Sequence, residues 1–208
     1  MAQKRKDWNG LISGFKASDL VFLDESRCNT DMTRRYAYSL GGSRAVDSAP
    51  LSKPKNTTIL SSIQLDGTLR YTTFSGGTTV ERFKRYLETD LLPHLNGNSV
   101  LIMDNMKSHH AKAVKNLLDS SEVRYIYLPP YSPDLNPIEK LWSKVKSFLR
   151  KFKARTLDAL PNAIQCAFQT VSPSDCSGWF HSCGYSPYFL KIAIEAVQAQ
   201  VWTRLFCF

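Results

Sequence analysis

The chain of 208 residues is long enough for one substantial hydrophobic core rather than two. Its 43% hydrophobic and 22% charged residues are ordinary for a globular protein and exclude a low-complexity chain. The formal net charge of +9 suits a polyanionic partner, with nucleic acid first and an anionic membrane surface second. A soluble basic protein without such a partner would show the same charge, so charge alone does not assign a function.

The five cysteines are odd in number and scattered, with no Cys-x-x-Cys motif; they are Cys28, Cys166, Cys176, Cys183 and Cys207. This pattern argues against a disulfide framework and against a zinc site. Free thiols suit a reducing compartment, so we expect a cytoplasmic protein. Residues 1–17 lack the apolar segment of a signal peptide, and residues 188–208 contain too many polar side chains for a membrane span.

The chain begins with a polar segment and a buried strand. We predict that residues 1–17 are a linker or a ragged start and that residues 18–24 form a strand, because Leu20-Val21-Phe22-Leu23 is a continuous apolar run. Residues 25–56 are rich in Ser, Arg, Gly and Pro, which predicts a long excursion with one short strand around residues 36–40. A loop of this length inside a compact domain often has a functional role.

A β-hairpin and a helix come next. Residues 57–65 and 68–74 have β-type sequences, and Asp66-Gly67 between them is typical of a two-residue hairpin turn. Thr78-x-x-Glu81 has the pattern of a capping box at a helix start. The helix that follows has one apolar face, formed by Val80, Phe83, Leu87 and Leu91.

A strand–helix–strand unit and two helices complete the predicted α/β fold. Residues 100–103 and 123–128 are predicted strands, and the helix over residues 111–119 makes them a right-handed parallel unit. Asn136-Pro137 predicts a helix with Asn as its N-cap. Its expected buried stripe is Ile138, Leu141, Trp142, Val145, Phe148, Leu149 and Phe152. With a last helix over residues 157–170, the elements predict a mixed sheet, a hairpin plus parallel strands, with helices packed on it.

Three carboxylates stand where an α/β sheet presents reactive groups. Asp24 and Asp104 each follow a buried apolar run, so we expect them at the ends of neighbouring strands, where ligands bind in open α/β sheets. Glu139 ends a proline-rich loop that feeds a helix, and 34 residues separate it from Asp104. Two Asp and one Glu from separate elements make a hard-oxygen site for Mg²⁺ or Mn²⁺, which suits metal-assisted attack on a phosphodiester.

Each carboxylate also has a purely structural interpretation. Asp24 or Asp104 alone could cap a turn, but two Asp residues, each directly after a buried run, favour a site. Glu139 falls at the third helical position and could reach back to the N-cap amide, as a capping glutamate does. The residues alone do not choose between capping and metal binding for Glu139.

The motifs around these carboxylates resemble those of a known family. They are Asp24-Glu25-Ser26 after a strand, Met103-Asp104-Asn105 followed by Ser108-His109, and Pro129-Pro130-Tyr131-Ser132-Pro133-Asp134-Leu135-Asn136-Pro137-Ile138-Glu139. Together they are similar to the DDE catalytic domain of mariner-superfamily transposases, most of all bacterial insertion-sequence members, over residues 18–187. The resemblance implies an RNase H-like fold with Asp24, Asp104 and Glu139 as catalytic residues and metal ligands.

The resemblance also implies a function, a cofactor and partners. We expect a transposase catalytic domain, a metal-dependent DNA endonuclease and strand transferase acting on insertion-sequence ends with two Mg²⁺ or Mn²⁺ ions. It implies a homodimer on DNA. Because no helix-turn-helix region fits before Asp24, either a separately encoded helix-turn-helix protein supplies DNA recognition or this chain is a fragment of a longer protein. Family members end near a motif like His181-x-x-Gly184-Tyr185, so residues 188–208 are expected to be an atypical tail.

Further polar residues are expected around the three carboxylates. We predict that Glu25, Asn105 and His109 support the site, with His109 contacting a phosphate or orienting a water. Residues 104–155 carry 11 Lys and Arg against 5 Asp and Glu, which suits backbone phosphates but also a solvated helix face. The predicted DNA-binding residues are Lys107, Lys140, Lys144, Lys146, Arg150 and Lys151. Tyr131 and Trp142 are predicted to be packing residues rather than base-stacking platforms.

Two other functions stay open at this point. One is a different RNase H-like nuclease, such as a structure-selective nuclease or an RNase H, which would prefer junctions or RNA–DNA hybrids. The other is an inactive DNA-binding remnant, which would bind DNA in a salt-dependent way without cleaving it.

Overall fold

The computed structural model describes residues 2–34, 36–51, 54 and 56–185, so the predicted tail 188–208 lies outside the described residues. The strands are β1 (Leu20–Asn29), β2 (Asn56–Ile63), β3 (Leu69–Ser75), β4 (Val100–Met103) and β5 (Arg124–Tyr127). The helices are α1 (Ala2–Ile12), α2 (Val80–Tyr86), α3 (Lys112–Ser120), α4 (Ile138–Phe152), α5 (Ala159–Gln169) and α6 (Pro173–Ser182). Short helical turns span Ala17–Asp19, Leu87–Leu91, Leu92–His94 and Pro133–Leu135.

The five described strands form one mixed sheet in the order β3-β2-β1-β4-β5. The pairs β1–β2 and β2–β3 are antiparallel, whereas β1–β4 and β4–β5 are parallel. The predicted α/β architecture, a hairpin plus parallel strands with helices packed on the sheet, is confirmed.

The central strand β1 directs alternate side chains into two cores. Leu20 and Phe22 pack in the core that contains the buried faces of α4, α5 and α6. Val21 and Leu23 pack in the core that contains α2 and α3. A strand covered on both faces needs apolar residues at every position, which explains the continuous apolar run. The same alternation continues into the polar residues that follow this run.

Strand β1 is longer than predicted and ends at Asn29 rather than at residue 24, because its second half continues to pair with β2. Its parallel neighbour β4 stops at Met103, which lies opposite Leu23. Asp24 therefore lies inside β1, at the level where β4 ends. Beyond that level, no described strand pairs with this edge of β1.

The short strand predicted around residues 36–40 is wrong, because the described residues of that segment form no strand. Tyr36, Tyr38 and Leu40 are 91%, 106% and 88% exposed. A strand is stabilised only when its backbone N–H and C=O groups find a neighbour, and no described strand pairs with this segment.

The β2–β3 hairpin forms as predicted, but its loop has three residues rather than two. The backbone N–H of Gln64 donates to the carbonyl of Thr68 at 3.0 Å, which leaves Leu65, Asp66 and Gly67 in the loop. Gly67 has a φ of +91°, as expected for a three-residue hairpin loop with glycine at its left-handed position. A Cβ at Gly67 would lie 2.9 Å from the Cα of Pro173, so only glycine fits here without displacing α6.

Helix α2 begins one residue later than the capping pattern suggested. Its N-cap is Thr79, whose hydroxyl oxygen accepts a hydrogen bond from the backbone N–H of Arg82 at 3.3 Å. The predicted apolar face is largely correct, since Phe83, Leu87 and Leu91 are fully buried.

The segment predicted as a linker instead contains helix α1, and its indole side chain contacts the far end of the described chain. Trp8 is 4% exposed, and its Nε1 donates to the hydroxyl of Tyr185 at 3.2 Å. The Tyr185 hydroxyl in turn donates to the carbonyl of Leu135, in the loop before α4, at 2.6 Å. Residues 2–12 are therefore helical, and they contact the loop that leads to Glu139 through the ion pair of Arg5 with Asp134.

Helix α6 was not predicted, although its sequence carries a start signal. Ser172 and Asp175 form a capping box in which each side chain accepts a hydrogen bond from the other residue's backbone N–H. Phe180 on α6 packs edge-on against Phe22 of β1, with ring centroids 5.3 Å apart. In α4 the predicted buried stripe holds except at its end, where Phe152 is 49% exposed.

The predictions about thiols and membrane spans can be compared with the structure only for the residues that it describes. The four cysteines within the described ranges, Cys28, Cys166, Cys176 and Cys183, are unpaired. Among the described helices, none is both long and apolar enough to cross a bilayer.

Candidate active site

Asp24 and Asp104 emerge from two adjacent parallel strands at the same level. The register pairs Leu23 with Met103, and each aspartate is the next residue along its strand. Neighbouring strands are about 4.8 Å apart, so this register brings two carboxylates to one edge of the sheet. Glu139, in the first turn of α4, lines the same cleft as both aspartates. The structure thus gathers the three predicted carboxylates in one place.

Asp24 is the most constrained of the three carboxylates. It is only 7% exposed and accepts three hydrogen bonds. Its Oδ1 accepts from the backbone N–H of Glu25 at 2.7 Å, and its Oδ2 accepts from Trp142 Nε1 at 3.2 Å and from Asn136 Nδ2 at 3.4 Å. These donors hold the carboxylate in one orientation in the cleft.

The pKa of Asp24 is raised from 3.8 to about 7, chiefly because burial disfavours the charged form. The negative charges of Asp104 and Glu139 raise the pKa further, whereas the hydrogen bonds from Glu25 and Trp142 lower it. The two carboxylates beside Asp24 add negative charge to the cleft, where a bound cation would compensate the buried group.

Trp142 has a second role beyond the packing that its sequence position predicted. Its ring is 3% exposed in the core between α4 and the sheet, as expected. Its Nε1 also donates to Asp24, 118 residues away in the chain. Its spacing from Glu139, three residues along one helix, is the only sequence signal that this indole faces the cleft.

Asn136 does not cap α4, so that prediction was wrong. It has the extended backbone of an N-cap residue, with φ −111° and ψ 99°, but its side chain makes no capping hydrogen bond. Its Nδ2 donates instead to Asp24, and its Oδ1 is buried without a partner. Capping would use the Asn136 Oδ1 as an acceptor for a backbone N–H of α4, whereas the amide is oriented so that its Nδ2 donates to the Asp24 carboxylate.

Glu139 is exposed, and its carboxylate accepts no hydrogen bond from the described residues, so the capping alternative is not what the structure shows. Glu139 is therefore available to a ligand in the cleft.

Asp104 is held by His109, which does not lie where we predicted. His109 is fully buried, so it faces neither a phosphate nor bulk water. Its Nδ1 lies 2.8 Å from Asp104 Oδ1, and its ring stacks on Phe83 at 4.3 Å between centroids. A carboxylate accepts only, so Nδ1 carries the proton and donates. The backbone N–H of Met106 donates to the same oxygen at 3.1 Å.

The other two predicted supporting residues, Glu25 and Asn105, line the same cleft. Glu25 points to the opposite face of β1 from Asp24, accepts a hydrogen bond from the hydroxyl of Thr78, and has a pKa raised chiefly by burial. Asn105 donates from Nδ2 to the carbonyl of Leu128 and so joins the loops that follow β4 and β5.

The predicted DNA-binding residues do not form one surface. Lys146 and Arg150 line a groove beside the end of β1. Lys140, Lys144 and Lys151 line a separate depression between α4 and α6. There Lys144 is already paired with an acidic side chain of α6, at 2.6 Å. The sixth residue, Lys107, is exposed in the loop after Asp104 and lines neither.

The donor set of the cleft fits a hard divalent cation. Two Asp and one Glu supply only carboxylate oxygens, the ligands that Mg²⁺ and Mn²⁺ prefer. The raised pKa of Asp24 indicates the charge that such a cation would neutralise. Within the described ranges, no three His, Cys, Asp or Glu side chains stand close enough together to hold one ion as they are. The three carboxylates therefore share a cleft but not yet a coordination geometry.

A family model described as DDE superfamily endonuclease matches residues 19–161, a range that contains the three carboxylates and the strands that present them. The chain belongs to this family. The DDE chain is also similar to the Tc1 transposase of Caenorhabditis elegans, with 28% identity over 97 residues that make up 45% of this chain and 36% of that protein.

Solved structures of Mos1 transposase share the fold of this DDE chain. A pre-cleavage Mos1 transpososome superposes with a TM-score of 0.75 at 17% identity, over 93% of this chain and 61% of that chain. The Mos1 catalytic domain with Raltegravir and Mg superposes with a TM-score of 0.66 at 16% identity, over 90% of both chains. This likeness confirms the predicted RNase H-like fold. The chain spans about three fifths of the transpososome protein and about a third of Tc1 transposase.

Proposed function

We propose that this chain is the catalytic domain of a DDE transposase, which nicks DNA and transfers the cleaved strand at the ends of an insertion sequence. The family membership and the likeness to Tc1 and Mos1 transposases support the reaction class. The proposed catalytic domain spans residues 18–187. The bacterial insertion-sequence type rests on the sequence motifs around the carboxylates alone.

One observation carries the proposal: the buried carboxylate of Asp24 has its pKa raised to about 7 beside two further carboxylates in one cleft. A protein that kept these groups only for stability would pair them with Lys or Arg. No lysine or arginine forms an ion pair with Asp24, Asp104 or Glu139 in the described chain. The unbalanced charge is a feature of a site that takes a cation as ligand.

We propose that Asp24, Asp104 and Glu139 hold two Mg²⁺ or Mn²⁺ ions. Mos1 paired-end complexes have been solved with Mn and with Mg, which supports the choice of metals. Bound there, divalent ions would activate the attacking hydroxyl and stabilise the leaving oxygen of a phosphodiester. The protein orients the ligands: Trp142 and Asn136 fix Asp24, and His109 fixes Asp104.

The proposed partners are DNA and a second copy of this chain. Mos1 structures described as a transpososome and as paired-end complexes support a dimer on DNA. A separately encoded helix-turn-helix protein for end recognition and a cytoplasmic location stay predictions from the sequence. The six basic residues predicted to bind DNA also stay proposals, now divided between the two surfaces of α4 and the loop of Lys107.

Nicking of a supercoiled plasmid tests the proposal. The full chain is incubated with Mg²⁺ or Mn²⁺, and Asp104→Asn is compared with Asp119→Asn. Asp119 lies on α3 and accepts a hydrogen bond from the Tyr125 hydroxyl at 3.0 Å, which an asparagine oxygen can also accept. We expect nicking by the wild type and by Asp119→Asn, and its loss in Asp104→Asn.

Full nicking by Asp104→Asn would overturn the assignment of the carboxylates. If the wild type is silent, the assay is repeated with a DNA-binding partner that recognises the element ends. Silence under both conditions would indicate the inactive remnant, and a preference for junctions or RNA–DNA hybrids would indicate another RNase H-like nuclease.

A further inference from the structure

The end of β1, the loop that follows it and one face of α4 line a second groove next to the carboxylate cleft. Its lining includes Arg27, Arg34, Lys146 and Arg150 against a single carboxylate, Asp31. Arg27 also lines the carboxylate cleft, so the groove and the cleft are continuous at this residue.

The periodicity of α4 explains why this groove runs straight from the proposed active site. Lys146 and Arg150 lie seven and eleven residues after Glu139, close to two and three full turns of an α-helix. The three side chains therefore project from one stripe of the helix. At a rise of about 1.5 Å per residue, the two cations stand roughly 10 and 16 Å from Glu139 along the helix axis.

The cations of this groove are available to a ligand. Arg27, Lys146 and Arg150 make no ion pair and no side-chain hydrogen bond within the described ranges. On other parts of α4 and its C-terminus, Lys144 and Lys153 are already paired with carboxylates. Among the described residues, the four cations of the groove therefore outnumber the one carboxylate that lines it, Asp31, and Arg27 also lies within electrostatic reach of Glu25.

The backbone of β1 adds hydrogen-bond donors along the same wall. The N–H of Glu25 donates to the side chain of Asp24 rather than into the β2 ladder, so it points to the open edge. Backbone groups of a strand alternate between its two edges, which places the N–H groups of Arg27 and Asn29 on the open edge as well. No described strand pairs with that edge beyond Asp24.

We propose that this groove binds the DNA strand that leaves the carboxylate cleft, with Arg27, Lys146 and Arg150 contacting its phosphates. The inference rests on the proposed nuclease function and adds the path of the substrate. At about 3.4 Å per nucleotide along a duplex strand, the groove reaches phosphates roughly three to five nucleotides from the reacting one. Such contacts hold the strand in register with the carboxylates and read no base sequence.

Binding of DNA without divalent cations tests the groove independently of catalysis. The full chain is titrated against a short fluorescein-labelled duplex in EDTA over a series of salt concentrations. We expect Arg27→Ala, Lys146→Ala and Arg150→Ala each to weaken binding and to reduce the slope of log K against log[salt] by about 0.9 for each phosphate that the variant no longer neutralises. Arg85→Ala on α2, an exposed cation on the other side of the sheet, is the matched control and should keep the wild-type slope.

Chemical footprinting locates the DNA-binding surface on the protein. Lysines are acylated and arginines are modified with phenylglyoxal, with and without the duplex, and read by mass spectrometry. DNA is expected to protect Arg27, Lys146 and Arg150 but not Arg85. Wild-type salt slopes in all three variants, or unchanged reactivity in the groove, would overturn the inference even if the plasmid is nicked. Protection in the groove with no nicking, even after the DNA-binding partner is added, would instead leave the groove established and the proposed catalytic function refuted.

Discussion

The Nδ1 atom of His109 lies 2.8 Å from Oδ1 of Asp104, in a ring that has no exposed surface. The imidazole is fixed by stacking on Phe83, so it can hold the carboxylate in one rotamer. His109 Nε2 is buried without a hydrogen-bond partner among the described residues, so Nδ1 is the ring atom through which His109 contacts Asp104. His109 is therefore a positioning residue for Asp104 rather than a group that contacts DNA.

Replacing His109 should separate its hydrogen bond from its packing. His109→Phe keeps a ring against Phe83 but removes the donor to Asp104. We expect folding to be retained and nicking to fall about 10–100-fold, the usual cost of losing a residue that orients a metal ligand. His109→Asn, whose Nδ2 can donate from nearly the same position, should restore part of the activity. Equal activity of the two variants would show that the hydrogen bond does not matter.

Trp142→Phe tests how Asp24 is kept ionised. The substitution removes the Nε1 donor and keeps most of the packing in the core. Because that donor lowers the pKa of Asp24, its loss should raise the pKa further above about 7. Protons then compete more strongly with the cation, so the Mg²⁺ concentration for half-maximal nicking should rise, and more so below pH 7 than above it. An increase that is the same at every pH would contradict this explanation.

Asp175 should make folding sensitive to acid. Its pKa is lowered to about 2, first by the hydrogen bond from Lys144 and then by those from Ser172. A carboxyl group whose pKa is lowered by folding stabilises the folded state at pH values above about 3.8, its pKa in the unfolded chain. This stabilisation is lost as the pH falls from about 4 to about 2.

Urea unfolding of Asp175→Asn measures this contribution. Asparagine keeps the α6 cap but not the charge, so we expect a loss of about 1 kcal/mol at pH 6, at the upper end for a solvent-accessible ion pair. The difference from wild type should shrink toward pH 2.5. A difference that stays constant over this range would show that the charge of Asp175 is not the cause.

A pair of glycines tests the contact between the hairpin loop and α6. Gly67→Ala places a Cβ 2.9 Å from the Cα of Pro173 at a φ of +91°, and we expect it to destabilise the protein by about 1–3 kcal/mol. Gly178→Ala lies inside α6 with open space around its Cβ, and should stabilise the protein by about 0.5–1 kcal/mol through helix propensity. Thermal unfolding of the two variants should therefore shift in opposite directions.

The sequence predicts best those features that depend on near neighbours in the chain. The apolar runs of β1 and β4 are buried on both faces of the sheet, and the run pattern alone indicates this. The two runs also predict that Asp24 and Asp104 lie side by side, because each aspartate directly follows its run.

Features that depend on distant contacts could not be predicted. Asn136 and Trp142 act on Asp24 across 112 and 118 residues, and no local pattern shows that an N-cap amide or a core indole will turn toward a carboxylate. Helix α1 has few apolar residues, and its anchor, the Trp8–Tyr185 hydrogen bond, spans 177 residues. The extension of β1 to Asn29 depends on β2, which lies beyond the long excursion.

The contacts from Trp8 through Tyr185 to the carbonyl of Leu135 mean that helix α1 and the residue that ends the described chain support the loop that leads to Glu139. A truncation that removes residues 2–12 would therefore also affect the carboxylate cleft. Removing α1 would remove the hydrogen bond from Trp8 to Tyr185, which holds that loop, while the sheet and its two aspartates stay in place. Preparations that differ only at this terminus should differ in how readily Glu139 joins Asp24 and Asp104 around an ion.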